Sequence, residues 1–256
     1  MGEGDTIHRT ARRLNAAIGG ERVTDVSVPN PMSPLRLQSA RLGRLRGKRL
    51  LSAQARGKHL LLHFERELAL HCHLGMNGSW RIDEPGVRRG RSAWVVLSTT
   101  HAEAAQFGGT RLALRGEGEL RSDPRLAGLG PDLLAPGFRP STGAAALRAA
   151  PERQALGEAL LDQRLVAGAG NVYKSEGCFA ASLDPWRPVS EFTDADLEGL
   201  FEALQDMMAA GVEGKRRRRL VYRRGGLPCA RCGARIRSRG QGDANRTTYW
   251  CPRCQG

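Results

Sequence analysis

Two pairs of cysteines stand near the end of this 256-residue chain, Cys229-x2-Cys232 and, after eighteen intervening residues, Cys251-x2-Cys254. Each pair suits a tight turn, and four thiolates brought together close a tetrahedral site around one Zn2+ ion. With every position filled by protein, such an ion has no place for water and is structural. Metal binding of this kind contributes on the order of 10 kcal/mol to folding, which a module of about 30 residues with almost no core needs. Between the ligands lie Arg235, Arg237, Arg239 and Arg246 with Tyr249 and Trp250, a basic hairpin suited to phosphate contact, with Arg246 expected at its turn. Upstream, Asn171 follows Gly168-Ala169-Gly170, where a glycine-rich turn becomes a helix start. Its side chain and the first amides of that helix can grip a phosphate. Cys72 and Cys178, outside the pairs, read as small buried residues.

The charge balance points the same way. Forty Lys and Arg against 26 Asp and Glu give a formal charge of +14, spread along the whole chain, which favours a polyanionic partner with phosphate backbone as the first candidate. The run from Lys215 to Arg219 is its densest part. No apolar stretch approaches the roughly 20 residues of a membrane span, and the first residues carry charges throughout, so the expectation is a cytoplasmic protein with no membrane partner.

The elements that must position these groups fall into two halves. Ile7, Leu14 and Ile18 recur at near-helical spacing, with Ala11 and Ala17 between them and Glu3 and Asp5 in the first turn, so the pattern predicts an amphipathic first helix. From Arg22 to about Leu120 the pattern becomes short apolar runs such as 60–64, 68–73, 94–98 and 111–115, parted by Gly, Pro or charged turns, which predicts a β-sandwich or barrel-like domain. Residues 128–143, with three prolines among several glycines, read as a connection. Helical patterns follow at 144–150, 154–161, 172–181 and 193–210, the last opening on Thr193 as an N-cap. The fold class is α+β, with domains at 1–127, 144–222 and 223–256.

Several motifs occur together and in order: Met1-Gly2-Glu3-Gly4-Asp5-Thr6, Gly57-Lys58-His59-Leu60, His73-Leu74-Gly75-Met76-Asn77-Gly78, Gly168-Ala169-Gly170-Asn171-Val172-Tyr173, and the terminal four cysteines. The set resembles the formamidopyrimidine-DNA glycosylase and endonuclease VIII superfamily over nearly the whole chain, and most of all its actinobacterial endonuclease VIII-like branch. The resemblance implies an N-terminal helix on a two-layered β-sandwich, a helix-two-turn-helix bundle and a zinc finger. It implies a monomer that swings a nucleotide out of double-stranded DNA holding a damaged base, abasic site or crosslink, since a stacked nucleotide is out of reach. Met76 then corresponds to the wedge that fills the void, and Phe107 to the aromatic that stacks on the opposite strand. Lys58 and Asn171 correspond to phosphate ligands, and Lys174 is counted with the DNA-binding residues. The arginine that the formamidopyrimidine branch carries two residues before the aromatic is Ala105 here.

In the family, methionine is removed and a terminal proline attacks the sugar carbon C1′, leaving an iminium that drives strand cleavage. This chain has Gly2 instead. Removal of Met1 leaves a primary amine, which suits attack because an α-amine titrates near roughly 7.7 to 8 against about 10.4 for lysine. Its Schiff base, however, can lose its last proton and become a poor electron sink. If Met1 stays, the Gly2 nitrogen is an amide and cannot attack. Glu3 is the expected acid–base residue and Asp5 an orienting carboxylate. His8, His59, His71 and His73 read as structural. The alternatives are a binder of damaged DNA without turnover and a zinc-ribbon interaction factor; the second leaves Glu3, Lys58, Met76 and Asn171 unexplained.

Overall fold

The computed structural model describes residues 2–87, 92–215 and 218–256. It divides into two compact units, 1–127 and 128–256, each with its own core.

In the first unit the expected opening helix forms as α1 (Gly4–Ile18), and Ile7, Ala11, Leu14 and Ile18 make one buried stripe along it. Asn15 fixes that face to the sheet: its amide donates to the Ala53 carbonyl at 2.8 Å and its carbonyl accepts from the Ala53 N–H at 2.6 Å. After β1 (Asp25–Ser27) and the short α2 (Ser39–Leu42) come β2 (Leu50–Arg56), β3 (His59–Phe64), β4 (Leu68–His73), β5 (Ser79–Asp83), β6 (Val95–Ser98), β7 (Glu103–Phe107) and β8 (Arg111–Gly116). They form two antiparallel four-stranded sheets, β1-β6-β7-β5 and β2-β3-β4-β8. The strands at 50–56, 79–83 and 103–107 were not among the apolar runs, because only alternate residues face inward there, Trp80, Ile82 and Ala104 among them. In the second sheet Leu60, Leu62, Phe64, Leu70, Cys72, Leu112 and Leu114 point into the shared core, while His59, His71, His73, Arg111 and Arg115 alternate onto the other face. Two short helices, α3 (Glu117–Arg121) and α4 (Pro124–Ala127), close the unit.

The second unit starts earlier than the helical pattern. Residues 128–143, expected as a connection, supply Leu133 to its core, and α5 (Pro140–Leu147) begins inside that stretch because Pro140 sits at the first helical position, where a missing N–H costs nothing. The helices α6 (Leu156–Ala159), α7 (Asn171–Ala180) and α8 (Asp194–Val212) complete the bundle. Thr193 caps α8 as expected, accepting from the Asp196 N–H at 3.1 Å while the Asp196 carboxylate accepts from the Thr193 N–H at 2.9 Å. The chain ends in a hairpin, β9 (Arg237–Gln241) and β10 (Arg246–Trp250), flanked by the cysteine pairs. Of the basic run, Arg216 and Arg217 lie outside the described residues; Lys215 pairs with Glu213 at 2.7 Å and Arg219 lies over the Tyr222 ring.

Candidate functional site

The first unit gathers its chemistry at one end of the sandwich. The Gly2 N–H donates to the Gly75 carbonyl at 2.8 Å, which seats the start of α1 against the loop between β4 and β5. Both partners need glycine. A Cβ on Gly2 would lie 2.9 Å from the Gly75 oxygen and 3.0 Å from the Leu74 Cβ, and Gly75 has φ +57° with the Thr110 methyl 2.7 Å from where its Cβ would be. Met1 lies outside the described residues. Glu3 is 3 % exposed, Asp5 is half-buried, and its carboxylate accepts from the Thr6 hydroxyl. Lys58, half-buried in the turn between β2 and β3, is close enough to His73 to help hold that imidazole below its ordinary pKa, after burial as the larger cause. His73 immediately precedes Leu74 and Gly75, so Gly2, Glu3, Lys58 and the Met76 loop share this end.

Two of the histidines form a part-buried pair. Nδ1 of His59 and Nε2 of His71 share a hydrogen bond of 2.9 Å, and burial, then the neighbouring positive groups, push their pKa values down to about 3 and about 4. Both imidazoles are therefore neutral at pH 7. His73 Nδ1 is hydrogen-bonded to the Thr110 hydroxyl at 2.7 Å.

Met76 is 66 % exposed at the tip of its loop, a costly place for a thioether unless something covers it. That loop packs on the turn between β7 and β8: a Cβ on Gly78 would sit 2.9 Å from the Gly109 Cα. Phe107, half-buried at the end of β7, is thus a neighbour of the Met76 loop.

In the second unit, Asn171 opens α7 after Gly170 as expected, but its amide donates to the Thr247 carbonyl of β10 at 2.8 Å, and its Oδ1 is buried with no partner among the described residues. Two expectations need correction. Lys174 is 0 % exposed, with Nζ donating to the Thr248 hydroxyl at 2.6 Å; burial lowers its pKa to about 8, so it ties α7 to the hairpin and is not a surface contact. Arg246 is exposed but is not in the turn, which spans 242–245; it is the first residue of β10, opposite Gln241. Glu176, which the sequence reading missed, is 8 % exposed and accepts the N–H groups of Leu220, Val221 and Tyr222 at 2.7 to 3.1 Å. No local pattern marks it, since its partners lie 44 to 46 residues away.

The four cysteine sulfurs lie within 4.8 Å of one another, with Cys229 to Cys254 at 3.9 Å and Cys232 to Cys251 at 3.5 Å. A tetrahedron of Zn–S bonds of about 2.3 Å has an edge of about 3.8 Å, so this donor set fits one structural zinc. Arg231 anchors the metal module to α7 by donating to the Phe179 carbonyl at 2.7 Å while lying 4.1 Å from that ring's centroid.

Three family profiles cover the chain: the formamidopyrimidine-DNA glycosylase N-terminal domain at residues 1–127, the formamidopyrimidine-DNA glycosylase H2TH domain at 129–220, and the zinc finger found in FPG and IleRS at 226–256. The chain is 41 % identical to the probable endonuclease 8 2 of Streptomyces coelicolor, covering all of this chain and 94 % of that one. It is 38 % identical to the DNA-(apurinic or apyrimidinic site) lyase Nei2 of Mycolicibacterium smegmatis, covering all of this chain and 99 % of that one. Among solved structures, the complex between the Lactococcus lactis Fpg and an abasic site containing DNA matches with a TM-score of 0.83 at 22 % identity, covering 99 % of each chain. The arrangement of helix, sandwich, helical bundle and four-cysteine hairpin is therefore that of a known fold, and the chain belongs to the formamidopyrimidine-DNA glycosylase and endonuclease VIII superfamily.

Proposed function

We propose that this protein is a DNA-repair glycosylase of the endonuclease VIII kind, which swings a damaged nucleotide out of double-stranded DNA and excises its base, with an accompanying abasic-site lyase activity that Gly2 weakens. The observation that carries the reading is the seat of the Gly2 nitrogen on the Gly75 carbonyl, beside the buried Glu3 and one residue from the exposed Met76. The names of the relatives, endonuclease 8 and abasic-site lyase, support the same chemistry.

Once Met1 is removed, the Gly2 amine attacks C1′ and the glycosidic bond breaks, with its electron pair leaving on the base. Glu3 supplies the proton that the sugar ring oxygen or the departing base needs, and Asp5 orients the site. The linkage is then a Schiff base. Loss of a C2′ proton expels the 3′ phosphate, and hydrolysis frees Gly2. Lys58 holds the phosphate beside the lesion, Met76 fills the vacated stack and Phe107 supports the opposite strand. On the second unit, Asn171 and Arg246 meet backbone phosphates. The catalytic part is 1–127, the DNA-binding bundle 144–222 and the finger 223–256. The protein works as a monomer in the bacterial cytoplasm: its relatives are bacterial, and no helix among the described residues is long and apolar enough to cross a membrane.

A glycosylase assay on oxidised-pyrimidine, abasic and crosslinked duplexes tests this reading. Product from the wild type that disappears in Glu3→Gln is expected; product that persists unchanged in that variant would refute it. The close fit around Gly2 also favours a second reading, a damage-binding protein without turnover, and tight binding with no product on any substrate would establish that reading instead.

A further inference from the structure

One face of the first sheet looks away from the shared core, and two strands there place an arginine beside the Phe107 ring. On edge strand β5, Arg81 is opposite Ala105 of β7, and Ser79 is opposite Phe107, so Arg81 and Phe107 are diagonal neighbours, a separation that long and aromatic side chains span. The guanidinium carbon lies 5.0 Å from the ring centroid. Ala105 is fully buried and ends at its methyl, so it offers this face no polar group. Arg81 is exposed, and among the described residues its side chain makes no hydrogen bond or ion pair. Stacking on an aromatic holds the planar fork while all five N–H donors stay available.

We propose that Arg81 is a specificity-determining residue that reads the base left unpaired when its partner swings out, favouring guanine and cytosine over adenine and thymine. The inference rests on the glycosylase reading above. The loop of the exposed Met76 packs on the turn that follows Phe107, so a duplex that takes Met76 into its stack brings the orphaned base towards Phe107 and the edge of that base towards Arg81. A guanidinium only donates, so it pairs in both prongs with neighbouring acceptors. Guanine offers O6 and N7, and cytosine offers O2 and N3. Adenine places a donor next to each of its nearest edge acceptors, and thymine separates its two carbonyls by an N–H. Neither accepts a fork.

The test uses the full-length zinc-loaded protein and duplexes with a tetrahydrofuran abasic analogue opposite each of the four bases, so that binding is measured without turnover. The wild type is expected to bind the guanine and cytosine duplexes about 5- to 150-fold more tightly than the other two, the discrimination of one bidentate contact. Arg81→Gln, whose side-chain amide pairs with adenine in place of guanine, should abolish or reverse the guanine and cytosine preference, and Arg81→Lys, whose ammonium still donates to guanine O6 and N7, should keep the preference for guanine. A preference unchanged in Arg81→Gln, or affinity lost equally opposite all four bases, would overturn the assignment, the second because it marks a phosphate or packing contact. A wild type that binds abasic and undamaged duplexes equally would overturn the glycosylase reading itself, and this inference with it.

Discussion

The Gly2 position makes a quantitative test of the nucleophile possible, because steric and electronic effects can be separated there. Any side chain at position 2 starts with a Cβ 2.9 Å from the Gly75 carbonyl oxygen and 3.0 Å from the Leu74 Cβ. Both neighbours are backbone or backbone-proximal atoms that yield only if the loop moves by about half an ångström, an overpacking that costs about 1–3 kcal/mol. Alanine and proline carry that same first carbon. They differ in the nitrogen: alanine keeps a primary amine whose imine deprotonates to a neutral species, whereas a terminal proline gives an iminium with no proton to lose. A free terminal proline still has an N–H for the Gly75 carbonyl, so that contact is common to all three.

With removal of Met1 first established by intact mass, borohydride trapping and single-turnover strand cleavage on an abasic duplex give the comparison. Gly2→Ala should trap about 5- to 150-fold more slowly than wild type, the strain expressed as a rate. Gly2→Pro should exceed Gly2→Ala by at least about tenfold, a difference of about 1.4 kcal/mol in the barrier, and by more in strand cleavage than in base release. Equal trapping and equal cleavage by the alanine and proline proteins would refute the claim that the charge of the Schiff base limits this enzyme.

Four further outcomes follow from the geometry. Chelation of the zinc should unfold the 223–256 module and abolish DNA binding, with a change in fluorescence because Trp186 and Trp250 stack edge to face at 5.1 Å; unchanged binding at zero metal content would exclude the four-cysteine site. Glu176→Ala strands three backbone N–H groups at about 1–3 kcal/mol each, so urea unfolding should show a loss of several kcal/mol, and a loss under about 1 kcal/mol would contradict the contact pattern. His59 and His71 have folded pKa values of about 3 and about 4, below roughly 6.5 in the unfolded chain, so the fold binds fewer protons: their stabilisation is complete above about pH 6.5 and is lost as pH falls towards those values, by about 1–2 kcal/mol per ring at pH 5. A His59→Gln, His71→Gln protein should show a flatter stability profile between pH 7 and 5, and an equal slope would refute the assignment. Raising salt from about 50 to 200 mM should weaken DNA binding by orders of magnitude, and a flat response would contradict phosphate-dominated affinity.

Elements with strong local signals were legible from residue types alone. The stripe on α1, the Thr193 cap and the cysteine spacing each rest on residues within one element or one turn, and each appears as expected. The strands of the first sheet were harder: edge strand β5 buries Trp80 between the exposed Ser79 and Arg81, and in β7 the consecutive buried residues Ala104, Ala105 and Gln106 are small or polar, so neither carries a continuous run of large apolar residues. The interior of the second unit was illegible for a different reason. Glu176 reads as one more helix carboxylate until the chain at 220–222 arrives with three N–H groups.

Lys174 shows how a correct neighbourhood can yield a wrong role. It follows Asn171 by one turn of α7, and in a basic chain a lysine beside a phosphate-binding turn invites assignment to the phosphate. The hairpin instead folds over it. Nζ donates to the Thr248 hydroxyl, which donates to the Gln241 side-chain carbonyl at 2.5 Å, and the Gln241 amide donates to the Pro185 carbonyl at 2.7 Å. A buried ammonium costs several kcal/mol unless its protons find acceptors, and here the largest cause of its lowered pKa is that burial. The chain keeps the charge because it joins α7, β9 and β10 through one polar path, which fixes where Asn171 and Arg246 stand relative to each other within the second unit. A hydrophobic residue at 174 would fill the space but would leave the Thr248 hydroxyl without the donor that orders it, so in the proposed phosphate site the lysine acts through position and not through contact.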